Sequence, residues 1–576
     1  MTYLYNNPVE FADELIEGFV AANSAWVRHV SGGVVRSTTS PVGEVAVVIG
    51  GGSGHYPAFA GIVGQGLAHG AAMGNVFASP SAQQIYTVAK AADNGGGVLL
   101  SYGNYAGDVL NFNAAQERLI ADGIPCRTVV VTDDISSASV AEISKRRGIA
   151  GDLVVFKAAA AAAESGATLD EVWRIATSAN DNTRSMGVAF GGCTLPGASA
   201  PLFTVPEGRM AVGMGIHGEP GISEQNIPTA DELAELLVSS LLNELPPAIG
   251  EARGRKAGLI LNGLGSVKYE ELFVLYRRVA QLLDAAGVTI VDPDVGELVT
   301  SFQMAGTSLT LFWLDDELES TWRAPAYTPA YRKGAVVPSE LRSVEVEDAS
   351  AHAAVAEATA ESRAAAAGIL AAIEALATVV DENVAELGRL DAIAGDGDHG
   401  IGMQRGATAA VVAARAAANA GAGAQTLLAI AADAWADRAG GTSGALWGLG
   451  LNAIAARIND TTTPRGADIA QGIADAATEV MRYGKAQLGD KTLLDTLIPF
   501  AESLKAGLDS GERFAAAWVV AADVASIAAE STASLLPKMG RARPHVEKSL
   551  GTPDPGAISM ALIIRAVETT FATERE

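Results

Sequence analysis

The chain has 576 residues, too many for one hydrophobic core, so we expect several domains. Of these residues 49% are hydrophobic and 18% are charged, which is typical of globular proteins. Its formal net charge of −26 repels polyanions, so we expect no nucleic-acid partner. Uninterrupted apolar runs are shorter than the roughly 18 residues of a membrane span, and residues 1–15 do not resemble a signal peptide. With only two cysteines, Cys126 and Cys193, we expect a cytoplasmic protein.

From Val34 to about Val295, short apolar runs alternate with glycine-rich turns and helical stretches, which predicts an α/β domain. In such domains ligands gather at the carboxyl ends of the strands. The apolar runs end at the motifs GGGSGH (50–55), SYGNYAGD (101–108), TDD (132–134) and NG (262–263). The alanine run Ala158–Ala163 predicts a helix packed closely on the sheet.

The stretch from about Ala324 to Ala351 contains several prolines and charges of both signs and has no hydrophobic period, so it predicts a linker. Beyond it, Ala, Leu, Ile and Val recur at three-to-four spacing, which predicts an all-α domain. We therefore place the domains at 1–330 and 352–576, with the linker at 331–351.

The loop Gly50–His55 places four glycines after a strand-like run. Without Cβ atoms, its amides can approach a ligand closely. Gly52, Ser53 and Gly54 are candidate substrate contacts, and His55 is a candidate donor or acid. The alternative is a tight turn with an incidental histidine.

The loop Ser101–Asp108 also follows a strand-like run and ends in a carboxylate. Asp108 is a candidate general base towards a substrate hydroxyl. Alternatively, it forms an Asx turn or caps a helix.

Residues Gly213–Gly221 contain a formal G-x-G-x-x-G pattern. A dinucleotide site requires a helix opening at the third glycine, but Glu219-Pro220-Gly221 turns the chain again, so we predict no NAD(P) site. The segment instead predicts a histidine on a glycine-rich hairpin. His217 is either a nucleophile towards a carbonyl carbon or a residue whose ring only hydrogen-bonds within the turn.

Asp391, Asp396 and Asp398 lie within eight residues, separated by glycines that disfavour one regular helix. A loop can aim all three carboxylates at one point, and oxygen ligands favour Mg²⁺ over zinc. An EF-hand is excluded because no glutamate stands at the twelfth loop position. The alternative is a solvated acidic loop.

The segment Gly440–Ala445 predicts a helix start at which glycine amides and hydroxyls could hold an anion. Thr442, Ser443 and Gly444 are the candidates, and a plain capped helix start is the alternative. No Walker A pattern is present. Weaker candidate polar contacts follow at Thr492, Gly540, Arg541, Asp554 and Gly556, for which solvated loops are the favoured alternative.

Together and in this order, several motifs resemble the dihydroxyacetone kinase family over nearly the whole chain: GGGSGH, NYAGD, GIHGEPG, MAGTSLTL, GDGDHG, GGTSGAL, GDKTLLD and DPGA. The resemblance implies an α/β ketose-binding K domain of two subdomains and an L domain, an all-α barrel that binds ATP. It also implies that His217 binds the substrate carbonyl as a hemiaminal. His55 and Asp108 would hydrogen-bond the substrate, with Asp108 as base, and Gly52 and Ser53 would line the pocket.

For the L domain, the resemblance implies that Asp391, Asp396 and Asp398 hold two Mg²⁺ ions that bridge the ATP phosphates. Thr442 and Ser443 would grip the phosphates, with the late residues Arg541 and Asp554 nearer the nucleoside. Fusion of the two domains is similar to the ATP-using type, although His399 after Asp398 resembles the split type that uses a phosphoprotein donor. The family also implies a homodimer formed through the K domain.

Three positions depart from the family pattern: Tyr56-Pro57-Ala58-Phe59 replaces Glu-Pro-Ala-His, Ala211 replaces a glutamate, and Arg543-Pro544-His545 replaces Tyr-Leu-Gly. The first two lie near the substrate loops. We therefore hypothesise that the substrate is dihydroxyacetone or, preferably, a four-carbon ketose such as D- or L-erythrulose. A sugar-binding coregulator and a lyase that cyclises FAD are the alternatives.

Overall fold

The computed structural model describes residues 2–335, 340, 357–395, 397–539 and 546–571. The chain divides into two compact units, Met1–Glu347 and Asp348–Glu576. The first unit combines helices with two mixed six-stranded sheets, and every regular element described in the second is a helix. This confirms the predicted fold class.

The first sheet is formed by β1 Val27–Val30, β2 Gly33–Arg36, β3 Ala46–Ser53, β4 Gly70–Val76, β5 Val98–Gly103 and β6 Cys126–Val131. The strand order is β1-β2-β4-β3-β5-β6, and the four strands from β4 to β6 in this order run parallel. β3 is buried along its whole length, as expected for a parallel strand covered on both faces.

The second sheet is formed by β7 Thr183–Ala189, β8 Arg209–Val212, β9 Ser223–Asn226, β10 Lys256–Gly263, β11 Thr289–Gly296 and β12 Gly306–Leu314. Its order is β11-β10-β12-β7-β8-β9, and only the β10–β11 pair is parallel. The β8–β9 pair is the hairpin predicted around His217.

The helices of this unit are α1 Phe11–Ala22, α2 Ala82–Ala92, α3 Ala106–Ala121, α4 Gly151–Glu164, α5 Leu169–Asp181, α6 Ala230–Leu242, α7 Tyr269–Ala285 and α8 Asp316–Arg323. Side-chain caps define several helix starts, for example the capping boxes of Thr168 with Glu171 and of Thr229 with Glu232. α4 contacts strands of both sheets and is buried along nearly its whole length. The alanine run therefore packs on sheet as predicted, because small side chains let the helix approach closely.

A short hairpin, β13 Ala326–Tyr327 with β14 Arg332–Lys333, follows α8. Tyr331 is buried in the core of the first unit and its hydroxyl donates to Asp294. Residues 331–351 were assigned to the linker from sequence, but Tyr331 fills a core position and Arg332–Lys333 pair with β13, so these three residues belong to the first unit. The rest of the predicted linker, apart from Gly334, Ala335 and Glu340, lies outside the described residues.

The second unit contains α9 Ala360–Asp391, α10 His399–Asn419, α11 Ala424–Ala439, α12 Gly441–Ala455, α13 Gly466–Gly484, α14 Leu494–Asp509, α15 Phe514–Ser531, α16 Val546–Ser549 and α17 Pro555–Thr570. Each helix from α9 to α15 packs on the next, α15 packs on α17, and α17 returns to α9. Eight helices thus close a ring around one apolar core, which is the predicted barrel. Trp435 and Trp447 stack inside it, with ring centroids 5.2 Å apart.

Two helical stretches of the barrel, Ala360–Asp391 and Phe514–Ser534, are long and apolar enough to cross a membrane, by length and composition alone. Both contribute side chains to the barrel core, including Ile373 and Val380 from the first and Ala521 and Ala525 from the second. Core helices of soluble barrels share this length and composition, so these two properties do not identify a membrane helix here.

Candidate active site

The candidate site of the first unit lies where the parallel strands of the first sheet end. His55 follows β3, Phe77 follows β4 and Tyr105 follows β5. The second sheet contributes the β8–β9 loop that carries His217 and the segment between β11 and β12 that carries Thr300. The Ser301 hydroxyl joins these two loops by donating to the Ile216 carbonyl. Loops distant in sequence thus meet at the two histidines, whose ring centroids lie 4.9 Å apart.

His217 is fixed on both sides of its ring. Its Nδ1 lies 3.1 Å from Oε1 of Glu219, and its backbone N–H donates to Oε2 of the same carboxylate at 3.0 Å. Its Nε2 lies 3.0 Å from Nε2 of His55. The side chain of His217 is 17% exposed, so the ring remains reachable from solvent.

Glu219 is itself held by a cation. Arg147 lies 3.8 Å from its carboxylate and pairs with Asp134 at 2.8 Å. Burial alone would raise the pKa of Glu219, but His217 and Arg147 outweigh it and lower this pKa below its usual range. Glu219 is therefore a carboxylate that accepts hydrogen bonds from His217.

His55 is 3% exposed, and its Nδ1 lies 2.7 Å from the carbonyl oxygen of Thr300. Burial, followed by the nearby His217, lowers the pKa of His55 to about 3. The Phe77 ring stacks on His55 at 4.9 Å and meets His217 edge-on at 5.1 Å. Tyr105 meets His217 from another side at 4.8 Å. The two imidazoles thus lie in an aromatic enclosure.

The glycine-rich segment Gly50–His55 was predicted as a loop, but Gly50–Ser53 form the end of β3 and only Gly54 and His55 follow the strand. Close contacts shape this segment. Gly54 has a φ of +104°, and a Cβ there would lie 2.6 Å from the Phe302 ring and 2.8 Å from the Phe77 ring. A Cβ at Gly52 would lie 2.7 Å from the backbone nitrogen of Ala78. Ser53 is buried and its hydroxyl donates to the Gly74 carbonyl, so this side chain ties β3 to β4.

Asp108 lies in the first turn of α3 and not on a loop, because the helix begins at Ala106 and Tyr105 takes the N-cap position. Its side chain is buried, and Oδ1 has no hydrogen-bond partner. Burial raises the pKa of Asp108 to about 7, although a hydrogen bond with Ser79 opposes this rise. A carboxyl group that titrates near neutral pH suits a general base.

Sequence reasoning did not single out Phe77, Tyr105, Arg147 or Glu219. Glu219 lies two residues after His217, and carboxylates often orient imidazoles in this way, so its spacing was a usable signal. Tyr105 lies inside the SYGNYAGD motif, whereas Phe77 and Arg147 reach the site only through the tertiary fold.

In the second unit, Asp391 ends α9 and Asp398 precedes α10, so the predicted acidic segment is a turn between helices. The His399 backbone N–H donates to Asp391 at 3.3 Å, and His399 Nε2 lies 3.0 Å from the Ser559 hydroxyl. Reduced hydration and the Asp391 carboxylate raise the pKa of Asp398 to about 6. Neighbouring carboxylates that repel each other fit a site for a hard cation.

Asp554 caps α17 by accepting from the Ala557 N–H, and Gly556 follows within the first turn. Loss of hydration, then the carboxylates of Asp495 and Asp391, raise the pKa of Asp554 to about 7. Thr492 donates its N–H to Asp495 at 2.7 Å. The GDKTLLD and DPGA motifs therefore lie beside the Asp391 turn.

Lys491, missed from sequence, connects its own loop to the segment after α15 and to the end of α16. Its side chain is 4% exposed, and its ammonium donates to the carbonyls of Ser549 at 2.6 Å and Leu535 at 3.2 Å. Its φ of +61° places it in the left-handed region. The available sequence signal was a lysine inside the motif GDKTLLD (489–495).

Thr442, Ser443 and Gly444 form the first turn of α12, which begins at Gly441 as predicted. Thr442 is exposed, and Gly444 is buried against α11. Asp396, Gly540 and Arg541 lie outside the described residues. Within the described part, which lacks Asp396, no group of three or more His, Cys, Asp or Glu side chains is arranged to hold a metal ion.

Comparisons with known proteins cover both units. Residues 17–330 match the family model of the Dak1 domain, and residues 393–569 match that of the DAK2 domain. The L-erythrulose kinase of Pectobacterium atrosepticum is 62% identical over 574 residues, which are 100% of this chain and 97% of that protein. The D-erythrulose kinase of Mycolicibacterium smegmatis is 53% identical over 583 residues, covering 100% of both chains.

Among solved structures, the dihydroxyacetone kinase from C. freundii in complex with AMP-PNP and Mg²⁺ is 28% identical, covers 99% of both chains and has a TM-score of 0.52. The matches thus include the α/β unit with its histidine pair and the helical barrel with its acidic turn. The chain belongs to the dihydroxyacetone kinase family.

Proposed function

We propose that the protein transfers the γ-phosphoryl group of ATP to a terminal hydroxyl of a four-carbon ketose, with L-erythrulose preferred. The observation that carries the carbonyl chemistry is the fixed geometry of His217. Glu219 holds its Nδ1, and its Nε2 lies 3.0 Å from Nε2 of His55. An imidazole nitrogen in this position can add to a carbonyl carbon and form a hemiaminal. Polyols such as glycerol offer no carbonyl for this step.

The choice of a four-carbon ketose is supported by the two erythrulose kinases that are 62% and 53% identical over the full chain. The more similar of the two acts on the L enantiomer by name, which is why we prefer L-erythrulose. Phe59, where dihydroxyacetone-specific relatives have histidine, is buried beside His55, with ring centroids 6.4 Å apart. This difference places an apolar ring beside one of the two site histidines.

Asp108 is proposed as the base that accepts the proton of the attacking hydroxyl. It lies at the same edge of the sheet as His55, and its unpaired buried oxygen is available to a substrate. The hydroxyl oxygen then forms a bond to the γ-phosphorus while the bond to the ADP oxygen breaks. His55 and the backbone of Gly52, Ser53 and Gly54 are proposed to orient the ketose.

The nucleotide is proposed to bind the second unit. Asp391, Asp398 and the undescribed Asp396 would hold two Mg²⁺ ions, and oxygen-only carboxylate donors fit this cation. The chain has a net charge of −26 and therefore needs positive charge to offset the phosphates of a nucleotide. Bound Mg²⁺ would supply that charge. The α12 start at Thr442, Ser443 and Gly444 would bind phosphates through its amides. The polar residues contacting the rest of the nucleotide would be His399, Thr492, Gly540, Arg541, Asp554 and Gly556.

We further propose a cytoplasmic homodimer. The relatives are kinases of small metabolites, and neither unit carries a cysteine framework that would require an oxidising compartment. Light scattering of the purified protein tests the dimer.

The function is tested by coupled ADP release with ATP and Mg²⁺ across L- and D-erythrulose, dihydroxyacetone, glyceraldehyde and glycerol. We expect the highest kcat/KM for L-erythrulose and no turnover of glycerol. His217→Ala should abolish ketose turnover, whereas His29→Ala, a histidine on strand β1, should not. A higher kcat/KM for dihydroxyacetone would contradict the four-carbon assignment, and no turnover of any ketose would contradict the kinase. Incubation with FAD and Mn²⁺ tests the cyclising lyase in the same preparation.

A further inference from the structure

A cavity of about 620 Å³ lies in the first unit, and the described residues that line it include none assigned to the ketose or the nucleotide. It is bounded by the C-terminal part of α5, the start of β7 and the segment that follows α6. Its volume lies within the range of small-molecule sites, roughly 300–1,000 Å³. The proposed reaction makes no use of this cavity.

Arg184 supplies the cavity with a buried cation. Its side chain is 4% exposed, and its Nη1 donates to the backbone carbonyls of Asp181 at 3.0 Å and Thr183 at 2.7 Å. Its Nε lies 3.5 Å from Oε1 of Glu244 but makes no hydrogen bond with any described residue. Within the described chain, all hydrogen bonds of this side chain come from Nη1, so the Nε and Nη2 donors are available to a ligand.

The positive charge around Arg184 is only partly balanced. The fully buried Arg146 also pairs with Glu244, so two guanidiniums share one carboxylate. Nη2 of Arg146 is buried, and none of the residues that the structure describes accepts a hydrogen bond from it. Burial, followed by the nearby Arg146, lowers the pKa of Arg184. Because a buried charge without a full partner costs free energy, an anion beside Arg184 would stabilise this arrangement.

Two exposed charged side chains also line the cavity. Arg174 is engaged by Glu317, which accepts from both of its terminal nitrogens at 2.9 and 2.6 Å. Asp181 is a carboxylate and would repel an anion. Water screens this repulsion because Asp181 is exposed, whereas the attraction of the buried Arg184 is screened much less. The cavity therefore favours an anion.

The remaining contacts favour a ligand with a carbon framework. The apolar side chains that line the cavity belong to Ile143, Trp173, Pro246, Pro247 and Ala248. The Trp173 indole is held in place, because its Nε1 donates to the Thr128 carbonyl at 3.0 Å and Arg127 lies 4.9 Å over the ring. Sites for organic ligands typically combine such apolar surface with a few oriented polar groups. A bare inorganic ion would leave the apolar surface without a partner.

We propose that this cavity binds a small organic anion, with its phosphate or carboxylate group on Arg184 and its carbon framework against Trp173. A planar guanidinium binds either group through two parallel N–H donors, so both groups share this chemistry. The cavity is a binding site distinct from the ketose and nucleotide sites, and it does not depend on the proposed function.

Binding is tested by calorimetric titration of the full-length protein, without Mg²⁺, with phenyl phosphate, benzoate, inorganic phosphate and phenol. We expect phenyl phosphate or benzoate to bind once per chain with a Kd of about 1 mM or lower. Inorganic phosphate lacks the ring and phenol lacks the anion, so each should bind about tenfold more weakly or worse. The tighter of the first two probes identifies phosphate or carboxylate as the preferred group. No binding of either would overturn the proposal.

Variants locate the bound probe. Arg184→Lys keeps the charge but loses the two parallel donors, so Kd should rise about tenfold or more. Asp181→Asn removes the repelling carboxylate and should lower Kd roughly two- to fivefold. Arg118→Gln, an exposed control on α3, should leave Kd unchanged. His217→Ala should also leave Kd unchanged, and loss of binding in that variant would place the probe at the ketose site and overturn the proposal.

An unchanged Kd in Arg184→Lys would equally overturn it. Circular dichroism shows whether this variant folds. If it does not, Asp181→Asn decides the question, because an unchanged Kd there means that the probe does not bind in this cavity.

Discussion

Phe77 and Phe302 share one uncommon backbone conformation, with φ of 53° and 50°, and their rings meet edge to face with centroids 5.4 Å apart. Their backbone N–H groups donate to two consecutive carbonyls at the end of β3, Phe77 to Ser53 at 2.9 Å and Phe302 to Gly54 at 2.8 Å. Aromatic residues in this region carry strain of order 1–3 kcal/mol each, which concentrates at functional sites. The two residues form one wall of the histidine enclosure, and the loop hydrogen bonds hold that wall in place.

Gly54→Ala tests this wall. The new Cβ would meet both rings below 3 Å at a φ of +104°, so something must shift. We expect the first unit to lose roughly 2–4 kcal/mol of unfolding free energy and kcat/KM for the ketose to fall more than about tenfold. Calorimetric unfolding and steady-state kinetics measure the two effects, and KM for ATP should not change.

Gly43→Ala is the matched control, because Gly43 also has a positive φ of +87° but open space around its Cβ position. It should cost only about 1 kcal/mol and leave the kinetics intact. Equal kinetic losses in the two variants would refute a role for the aromatic wall.

Much of the fold was predictable because each local signal agrees with the tertiary structure. The apolar run before Gly50 is a buried parallel strand, and Ala158–Ala163 is buried on the sheet. The end of the first unit was not predictable. Tyr331 follows a proline-rich stretch typical of linkers, and only its core contacts show that it belongs to the domain.

The site was predicted as motifs but not as an assembly. His55 and His217 are 162 residues apart, and no spacing rule indicates that their Nε2 atoms touch. Asp108 was placed on a loop because glycine and asparagine precede it, whereas the helix begins two residues earlier. Phe77 and Arg147 carry no motif at all. Their roles depend on which loops the two sheets bring together.

Asp108→Asn should separate activity from stability. Burial raises the pKa of Asp108 from the ordinary value of 3.8 to about 7. Between these values the folded protein keeps a proton that the unfolded chain has lost, so the Asp108 contribution to stability is full below pH 4 and is lost as the pH rises through 7. The variant should therefore be more stable than the unaltered protein at pH 8, by roughly 1–4 kcal/mol, and equal to it near pH 4.

The same substitution should lower kcat by about 10²–10⁴-fold, because the base is lost. In the unaltered enzyme, kcat should fall about tenfold per pH unit below 7, as Asp108 becomes protonated. Asp133→Asn is the contrasting variant. Burial also raises the pKa of Asp133, to about 6, but its two carboxylate oxygens accept the backbone N–H groups of Ile149 and Gly151. An amide has one accepting oxygen and would turn its NH₂ group towards one of these donors, so we expect Asp133→Asn to destabilise the protein at pH 8. A destabilised Asp108→Asn protein would contradict this account.

Asp398→Asn should abolish the coupling between Mg²⁺·ADP and the stability of the second unit. A ligand at 100 times its Kd stabilises the folded state by about 2.7 kcal/mol, and we expect this gain to disappear together with activity. Differential scanning calorimetry with and without Mg²⁺ and ADP measures it. Asp509→Asn removes an exposed carboxylate that pairs with Lys505, and this control should keep the full shift. An unchanged shift in Asp398→Asn would exclude this residue from the metal site.

Lys491→Met should weaken nucleotide binding without affecting the ketose. The buried ammonium joins the end of α16 at Ser549 to the loop at Leu535, and its loss leaves two carbonyl groups without this donor. Since these loops flank the Asp554 turn, we expect KM for ATP to rise about tenfold or more while KM for the ketose stays within a factor of two, roughly 0.4 kcal/mol.

Lys538→Met is the control for this experiment. Lys538 also donates to the same loop, to the Gly489 carbonyl at 3.1 Å and the Asp490 carboxylate at 3.1 Å, but its side chain is 60% exposed. Exposed pairs of this kind contribute about 0–1 kcal/mol, so KM for ATP should change little. Equal effects of the two variants on KM for ATP would mean that positive charge near the loop matters and that the buried position of the Lys491 ammonium does not.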